Sequence, residues 1–222
     1  MSQKTRAVFV TGGTGYIGAA LIPSLLSRGH SVRALTRPAS SQRLPVGVTP
    51  VVGDALDPES VAASVRPDET LVHLVGTPHP NPRKAHEFLR VDLASALASI
   101  GAVQRMQLPH LVYVSVAQPA PIMHAYISAR AKAEQAIGAA NLTATVLRPW
   151  YVLGPGHRWP YLLVPVYTFA SMLPNLRDGA HRLGLVTRRQ MVSAIVRAVE
   201  DPPEQGTIRV LDVRAIRESG KS

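Results

Sequence analysis

Three glycines near the N-terminus carry the most specific chemistry in the sequence. They are Gly12, Gly15 and Gly18 in Thr11-Gly12-Gly13-Thr14-Gly15-Tyr16-Ile17-Gly18, directly after the short apolar run Ala7–Thr11. At a strand-to-helix turn of this kind the first glycine permits the tight turn and the second lets the backbone approach a diphosphate. The third allows the helix to pack closely on the strand. The unpaired N–H groups and positive dipole end of the helix then face the anion. Gly12, Thr14, Gly15, Tyr16, Ile17 and Gly18 are therefore the expected cradle of a dinucleotide. The corner Ala34-Leu35-Thr36-Arg37 bears on which dinucleotide. An acid there would accept from a ribose 2′-OH, whereas an arginine accommodates a 2′-phosphate. No acid is present, and Arg37 is followed by Ser40, Ser41 and Arg43, all able to bind phosphate oxygens. The expected cofactor is NADP, with NAD as the alternative.

Such a loop needs a buried strand before it and a helix after it, and the rest of the chain repeats that alternation. Strands are expected at Ala7–Thr11, Ser31–Thr36, Thr49–Val52, Thr70–Val75, His110–Val116 and Thr143–Leu147, most of them continuous Val/Leu-rich runs suited to burial on both faces. Helices are expected at about 15–28, 58–65, 84–107 and 125–140, for an order βαβαβαβαβαβ. In the third, Leu89, Leu93, Leu97, Ile100 and Val103 recur every three or four residues, which reads as one apolar stripe facing a sheet. A last helix is signalled by Thr187 with Gln190 three residues on, and by the stripe Met191, Val192, Ile195, Val196 and Val199. A strand at Thr207–Val213 and a polar tail follow. The fold class is α/β, a Rossmann-type doubly wound parallel sheet. Residues 1–149 form its core, and 150–222 a small C-terminal region of the same domain closing over the cofactor site.

Past Arg148 the texture changes. Six of the eleven aromatics (Trp150, Tyr151, Trp159, Tyr161, Tyr167 and Phe169) fall within twenty residues, which suits a pocket wall, a contact surface or a satellite core. Residues 161–173, with Arg177, Arg182, Arg188 and Arg189 downstream, offer a contact with a partner protein or a membrane surface. That stretch is interrupted by Pro165, Thr168 and Ser171 and falls short of the roughly 18 residues that span a bilayer.

Composition narrows the classes. The 222 residues are 46% hydrophobic and 17% charged, enough for a buried core and unlike a disordered chain. The absence of cysteine excludes disulfides, thiolate metal sites and cysteine nucleophiles. No signal-peptide pattern opens the sequence, so a cytoplasmic location is expected. The net charge of +10 is shared by both halves, arises from 20 Arg against 4 Lys, and accompanies no nucleic-acid motif. No nucleic-acid partner is expected, and no His/Asp/Glu spacing suggests a metal.

The glycine loop resembles that of the short-chain dehydrogenase/reductase superfamily, in its extended and atypical branches. Val52-Gly53-Asp54 resembles the turn after that family's third strand, whose aspartate contacts adenine, and His73-Leu74-Val75-Gly76 resembles its fourth strand. Leu147-Arg148-Pro149 with Gly154-Pro155-Gly156 looks like its RPxxxxGPG segment. The likeness is greatest to atypical NAD(P)H-binding members, including NmrA-like regulators and the accessory dehydrogenase-like subunit of respiratory complex I. It adds Asp54, Ala55, Leu74, Val75 and Gly76 to the expected cofactor contacts.

In active members a Tyr, a Lys four residues later and a Ser or Thr after the fifth strand do the chemistry. The resemblance puts Tyr126 at the Tyr position and Arg130 at the Lys position. Four residues along a helix returns to the same face, whereas Lys132 points about 120° away. A fixed positive charge at Arg130 would still favour a phenolate, but an arginine cannot relay a proton as lysine does. Ser115 stands one place early, with Val116 where the hydroxyl is expected. His124, Trp150, Tyr151, His157, Arg158 and Trp159 are further candidates to line a cleft. The implied activity is NADP(H)-dependent reduction of a small carbonyl or quinone-like substrate; the alternative is a non-catalytic nucleotide-binding regulator or assembly factor.

Overall fold

A computed structural model of the chain describes residues 5–78, 80–120, 122–155 and 184–220. Seven parallel strands form one sheet: β1 (Ala7–Thr11), β2 (Ser31–Thr36), β3 (Thr49–Val52), β4 (Glu69–His73), β5 (His110–Val114), β6 (Ala144–Leu147) and β9 (Ile208–Leu211). Their spatial order is β3-β2-β1-β4-β5-β6-β9, so the winding direction reverses between β1 and β4. Ligands bind in such sheets in the crevice beyond the strand C-termini at that reversal. Register places Thr11 opposite His73, and the Leu74 N–H donates to the Thr11 carbonyl at 3.0 Å. The loops following β1 and β4 are thereby held side by side.

Helices cover both faces. On one lie α1 (Gly18–Ser27), α6 (Arg188–Glu200) and α7 (Val213–Glu218), packed with Val8, Val10, Val72, Val112 and Leu147. On the other lie α2 (Pro58–Ser64), α4 (Ala94–Met106) and α5 (His124–Ala139), packed with Phe9, Leu71, Leu111 and Val146. The described C-terminal elements thus share the core of the N-terminal strands. A separate parallel pair, β7 (Tyr151–Leu153) with β8 (Leu185–Thr187), sits at the site end. The Thr187–Gln190 capping box opens α6, and its whole predicted stripe is buried.

Four expectations need correction. No α-helix joins β2 to β3; the link is a 3-10 segment, Pro38–Arg43, opened by a proline that presets the turn. The polar tail instead forms α7, because Asp212 accepts from the Ala215 N–H as its N-cap. The pair β7–β8 was not foreseen. The third helical segment differs most. The three-residue α3 (Ala85–Glu87) leads into a π-helical turn, Phe88–Leu93, and only then into α4. Leu89 and Leu97 are 49% and 45% exposed, while Asp92, Ser95 and Ser99 face the sheet and are buried. Polar groups occupy that face because they bond to His73 and Arg130, as follows.

Candidate functional site

The glycine loop divides into packing and space. Gly12 has φ +79°, and a Cβ there would lie 2.7 Å from the Leu74 carbonyl carbon. A Cβ at Gly18 would lie 2.5 Å from the Gly12 oxygen. Both positions are glycine because backbone approaches backbone. Among the described residues, the only heavy atom outside its chain neighbours that a Cβ at Gly15 would approach is the Gly12 oxygen at 3.1 Å, and the loop there forms part of the cavity wall. Open room at the N-terminus of α1 is what a diphosphate needs, and the residues present fit a dinucleotide.

A cavity of about 730 Å³ runs from this loop across the C-terminal ends of the strands. Gly12, Thr14, Gly15, Tyr16, Ile17 and Gly18 line one end, with Leu74 and Gly76 alongside; all were expected from sequence. Arg43 joins them, whereas Arg37, Asp54, Ala55 and Val75 do not form its wall. Arg37 is exposed at the end of β2, and the Asp54 carboxylate accepts from the Leu56 N–H at 2.9 Å. The other end is lined by Thr77, Val114, Val116, Met123, Tyr126, Arg130, Trp150, Tyr151 and Val152. His157, Arg158, Trp159 and the stretch 161–173 lie outside the described residues, as do Arg177 and Arg182. A second cavity of about 420 Å³, between α1 and the start of α6, excludes the glycine loop. The Tyr16 ring stands at its edge, with the Arg188 guanidinium 5.0 Å from the ring centre and Gly154 against the phenol oxygen.

Tyr126 is held between two groups. The Phe88 ring lies 5.0 Å from it centre to centre, and the Arg130 guanidinium carbon 5.2 Å from its centre on the ring face. Arg130 itself is buried. Its Nη2 donates to Asp92 Oδ1 at 2.6 Å and its Nη1 to the Val114 carbonyl at 2.8 Å. Asp92 Oδ2 in turn accepts from the Thr77 N–H at 3.0 Å and from its hydroxyl at 2.5 Å. Burial alone would weaken the arginine's hold on its proton. The Tyr126 and Tyr113 phenols and the Asp92 carboxylate outweigh it and push its pKa up. Gly76 makes the pair possible, since a Cβ there would strike Arg130 Nη2 and lie 3.1 Å from Asp92 Oδ1.

Next to this pair is His73, fully buried at the end of β4. Its Nδ1 lies 3.0 Å from the Thr11 hydroxyl and 2.9 Å from that of Ser99. Burial, and then the nearby Arg130 charge, lower its pKa to about 3, so the imidazole is neutral.

Ser115 turns away from the cavity. Side chains alternate along an extended strand, and with Val114 and Val116 on the cavity wall the serine between them faces the other way. Its hydroxyl donates to Glu134 Oε1 at 2.5 Å, and Glu134 also receives Gln118 Nε2 at 3.0 Å and the Arg148 guanidinium. The hydroxyl expected for chemistry is thus spent on a bracket joining the ends of β5 and β6 to α5. Lys132 is exposed. Asp92, Thr77, Met123 and Phe88 were not anticipated.

Comparison with known proteins agrees with this geometry. The NAD(P)H-binding family matches residues 12–163. Ceramide reductase of Caulobacter vibrioides is 26% identical over 96% of this chain and 67% of its own length. The 3-diazoavenalumate denitrifying reductase of a Streptomyces species is 30% identical over 92% of this chain and 75% of its own. The chain spans between half and three quarters of the length of these and a further curated relative. UDP-glucose 4-epimerase of Thermus thermophilus, solved with NAD, shares the fold with a TM-score of 0.65 at 18% identity, over 97% of this chain and 84% of that one. Among the described residues no helix is long and apolar enough to cross a membrane.

Proposed function

The chain belongs to the NAD(P)H-binding family of the short-chain dehydrogenase/reductase superfamily, and from that premise we propose that it is an NADPH-dependent reductase of an uncharged carbonyl compound. The observation that carries this reading is the continuity of the cavity: the glycine loop and Tyr126 belong to one wall, so a nucleotide and a carbonyl group can lie within reach of each other. Gly15 and the N-terminus of α1 would hold the diphosphate, and Arg43 in the cavity wall would take the 2′-phosphate, with Arg37 exposed at the nearby strand end; Asp54 and Ala55, outside the wall, would border the adenine. Leu74, Val75 and Gly76 border the remainder. When bound, the nicotinamide supplies a hydride.

Tyr126 is the general acid, donating its phenolic proton to the carbonyl oxygen. Arg130 stands beside it as a permanent charge that does not give up a proton for relay. With Ser115 turned to Glu134 and Val116 in the wall, the proton donor assigned to the substrate is Tyr126, which has Arg130 over its ring. Val114, Val116, Met123, Trp150 and Val152 give that end an apolar wall, and the Arg130 charge is matched by Asp92. An alkyl or aryl ketone, or a quinone, suits such a surface. The relatives' names as reductases support the reaction type.

The test is NADPH oxidation by the purified protein with a panel of ketones and quinones. Turnover that falls by at least about a hundredfold in Tyr126→Phe supports the reading. A second reading, a non-catalytic NADP(H)-binding regulator or assembly factor, draws on the arginine at position 130 and the diverted Ser115. Stoichiometric NADPH binding with no turnover across the panel favours it.

A further inference from the structure

We propose that Asp92 is the positioning residue of the Tyr126–Arg130 pair, and that the π-helical turn Phe88–Leu93 exists to deliver it. The inference rests on the reading of Tyr126 as proton donor. An arginine side chain is long, with five donors that could be directed at many acceptors. Here its orientation is fixed from both ends of the guanidinium, by Asp92 Oδ1 at Nη2 and the Val114 carbonyl at Nη1. Asp92 cannot drift, because its second oxygen is taken by the Thr77 N–H and hydroxyl. The missing side chain of Gly76 leaves the space in which carboxylate and guanidinium meet.

The same π-helical turn contributes Phe88, which packs on Tyr126. Phe88 and Asp92 are both fully buried, and α5 carries Tyr126 and Arg130 one turn apart. Wide turns of this kind are rare and concentrate at functional sites. The outcome is a guanidinium presented over the tyrosine ring rather than to its oxygen: among the described residues, Arg130 has no hydrogen bond to the Tyr126 phenol. Asp92 therefore makes the arginine act on Tyr126 by charge alone, leaving the phenol O–H free for substrate.

The experiment uses the full chain labelled with 3-fluorotyrosine and read by fluorine NMR, with the Tyr126 signal identified by its loss in Tyr126→Phe. Asp92→Asn and Gly76→Ala, which disturb the pair from opposite sides, should both move that signal by more than its linewidth. Ser99→Ala, on the same face of α4 but bonded to His73, should leave it in place. For any ketone that is reduced, Asp92→Asn should lower kcat on the order of a hundredfold while the KM for NADPH changes little, as misplacement of a catalytic group does. A folded Asp92→Asn or Gly76→Ala protein with an unmoved Tyr126 signal would overturn the proposal. If Asp92→Asn fails to fold, Gly76→Ala decides alone. If no carbonyl compound is turned over, the functional reading fails, while the fluorine signal still decides whether Asp92 orients Arg130 on Tyr126.

Discussion

Asp92 Oδ1 lies 2.6 Å from Arg130 Nη2, and neither side chain exposes more than 6% of its surface. A pair so enclosed gains little over two apolar residues of the same size, because both charges have left water. Removing one partner is another matter, since a buried charge is left uncompensated. Asp92→Ala should lower unfolding stability by about 3–5 kcal/mol. The pair Arg105–Glu59, whose side chains are 61% and 76% exposed, sets the contrast: Arg105→Ala should cost less than about 1 kcal/mol. Urea unfolding of both variants checks the difference, and equal losses would refute the reading of the buried pair.

The glycine loop yields a prediction that separates folding from binding. Gly15→Val fills open cavity space without touching backbone beyond Gly12, so it should abolish NADPH binding and leave the melting temperature near that of the parent. Gly18→Val drives a Cβ into the Gly12 oxygen and should unfold the chain or sharply lower its melting temperature. Trp150 lines the same cavity, so its fluorescence offers the binding signal. A Gly15→Val protein that binds NADPH as tightly as the parent would remove the loop from the cofactor site.

The strand pattern and the glycine loop were legible because both rest on local physics: continuous Val/Leu runs buried on two faces, and glycines where no Cβ fits. The site's polar interior was harder to read. Leu89 and Leu97 share the helical spacing of Leu93, Ile100 and Val103, yet they are half exposed. Asp92, Ser95 and Ser99 also repeat at intervals of three and four, and this second stripe faces the sheet. Periodicity alone cannot choose between two stripes on one helix. What decides is tertiary, the presence of His73 and Arg130 as partners. The spacing of Asp92, Ser95 and Ser99, small or acidic residues in an otherwise apolar helix, was the available signal. The alternation that turns Ser115 away from the cavity was visible from its one-residue offset, but its bond to Glu134 was not.

Cofactor preference distinguishes two arginines. Arg43 is part of the cavity wall, and Arg37 stands exposed at the strand end. A hydrogen bond to a charged group contributes about 1.5–3 kcal/mol. Arg43→Ala should therefore weaken NADPH at least about tenfold and leave NADH unchanged. Arg37→Asp should move preference toward NADH if its side chain also reaches the 2′ position. Dissociation constants for both cofactors with each variant settle the roles; identical NADPH and NADH ratios in all proteins would mean that neither arginine reads the 2′-phosphate.

Acid should begin to destabilise the fold below about pH 6.5, through two buried histidines. His73 and His110 are both buried, with pKa values lowered from 6.5 to about 3 and about 4. For each, burial is the main cause, followed by the charge of Arg130 for His73 and of Arg209 and Arg6 for His110. A group whose folded pKa lies below its unfolded value takes up a proton on unfolding. Between about pH 6.5 and 4 the unfolded chain thus binds more protons than the native one, and stability falls as pH falls. Each histidine contributes up to about 1.4 kcal/mol per pH unit in that window, and nothing above it. Glu200 adds its own loss only at lower pH. Burial opposes its ionisation, but bonds from Arg28 and His30 lower its pKa below 4.5, and that stabilisation disappears as the carboxylate protonates. Urea midpoints between pH 7 and 5 isolate the histidines. His110→Gln, whose amide reaches the Nε2 position and keeps a polar partner for the Thr145 hydroxyl 3.0 Å away, should roughly halve the slope of stability against pH. An unchanged slope would mean that His110 is already protonated in the native protein, or equally accessible to protons in both states.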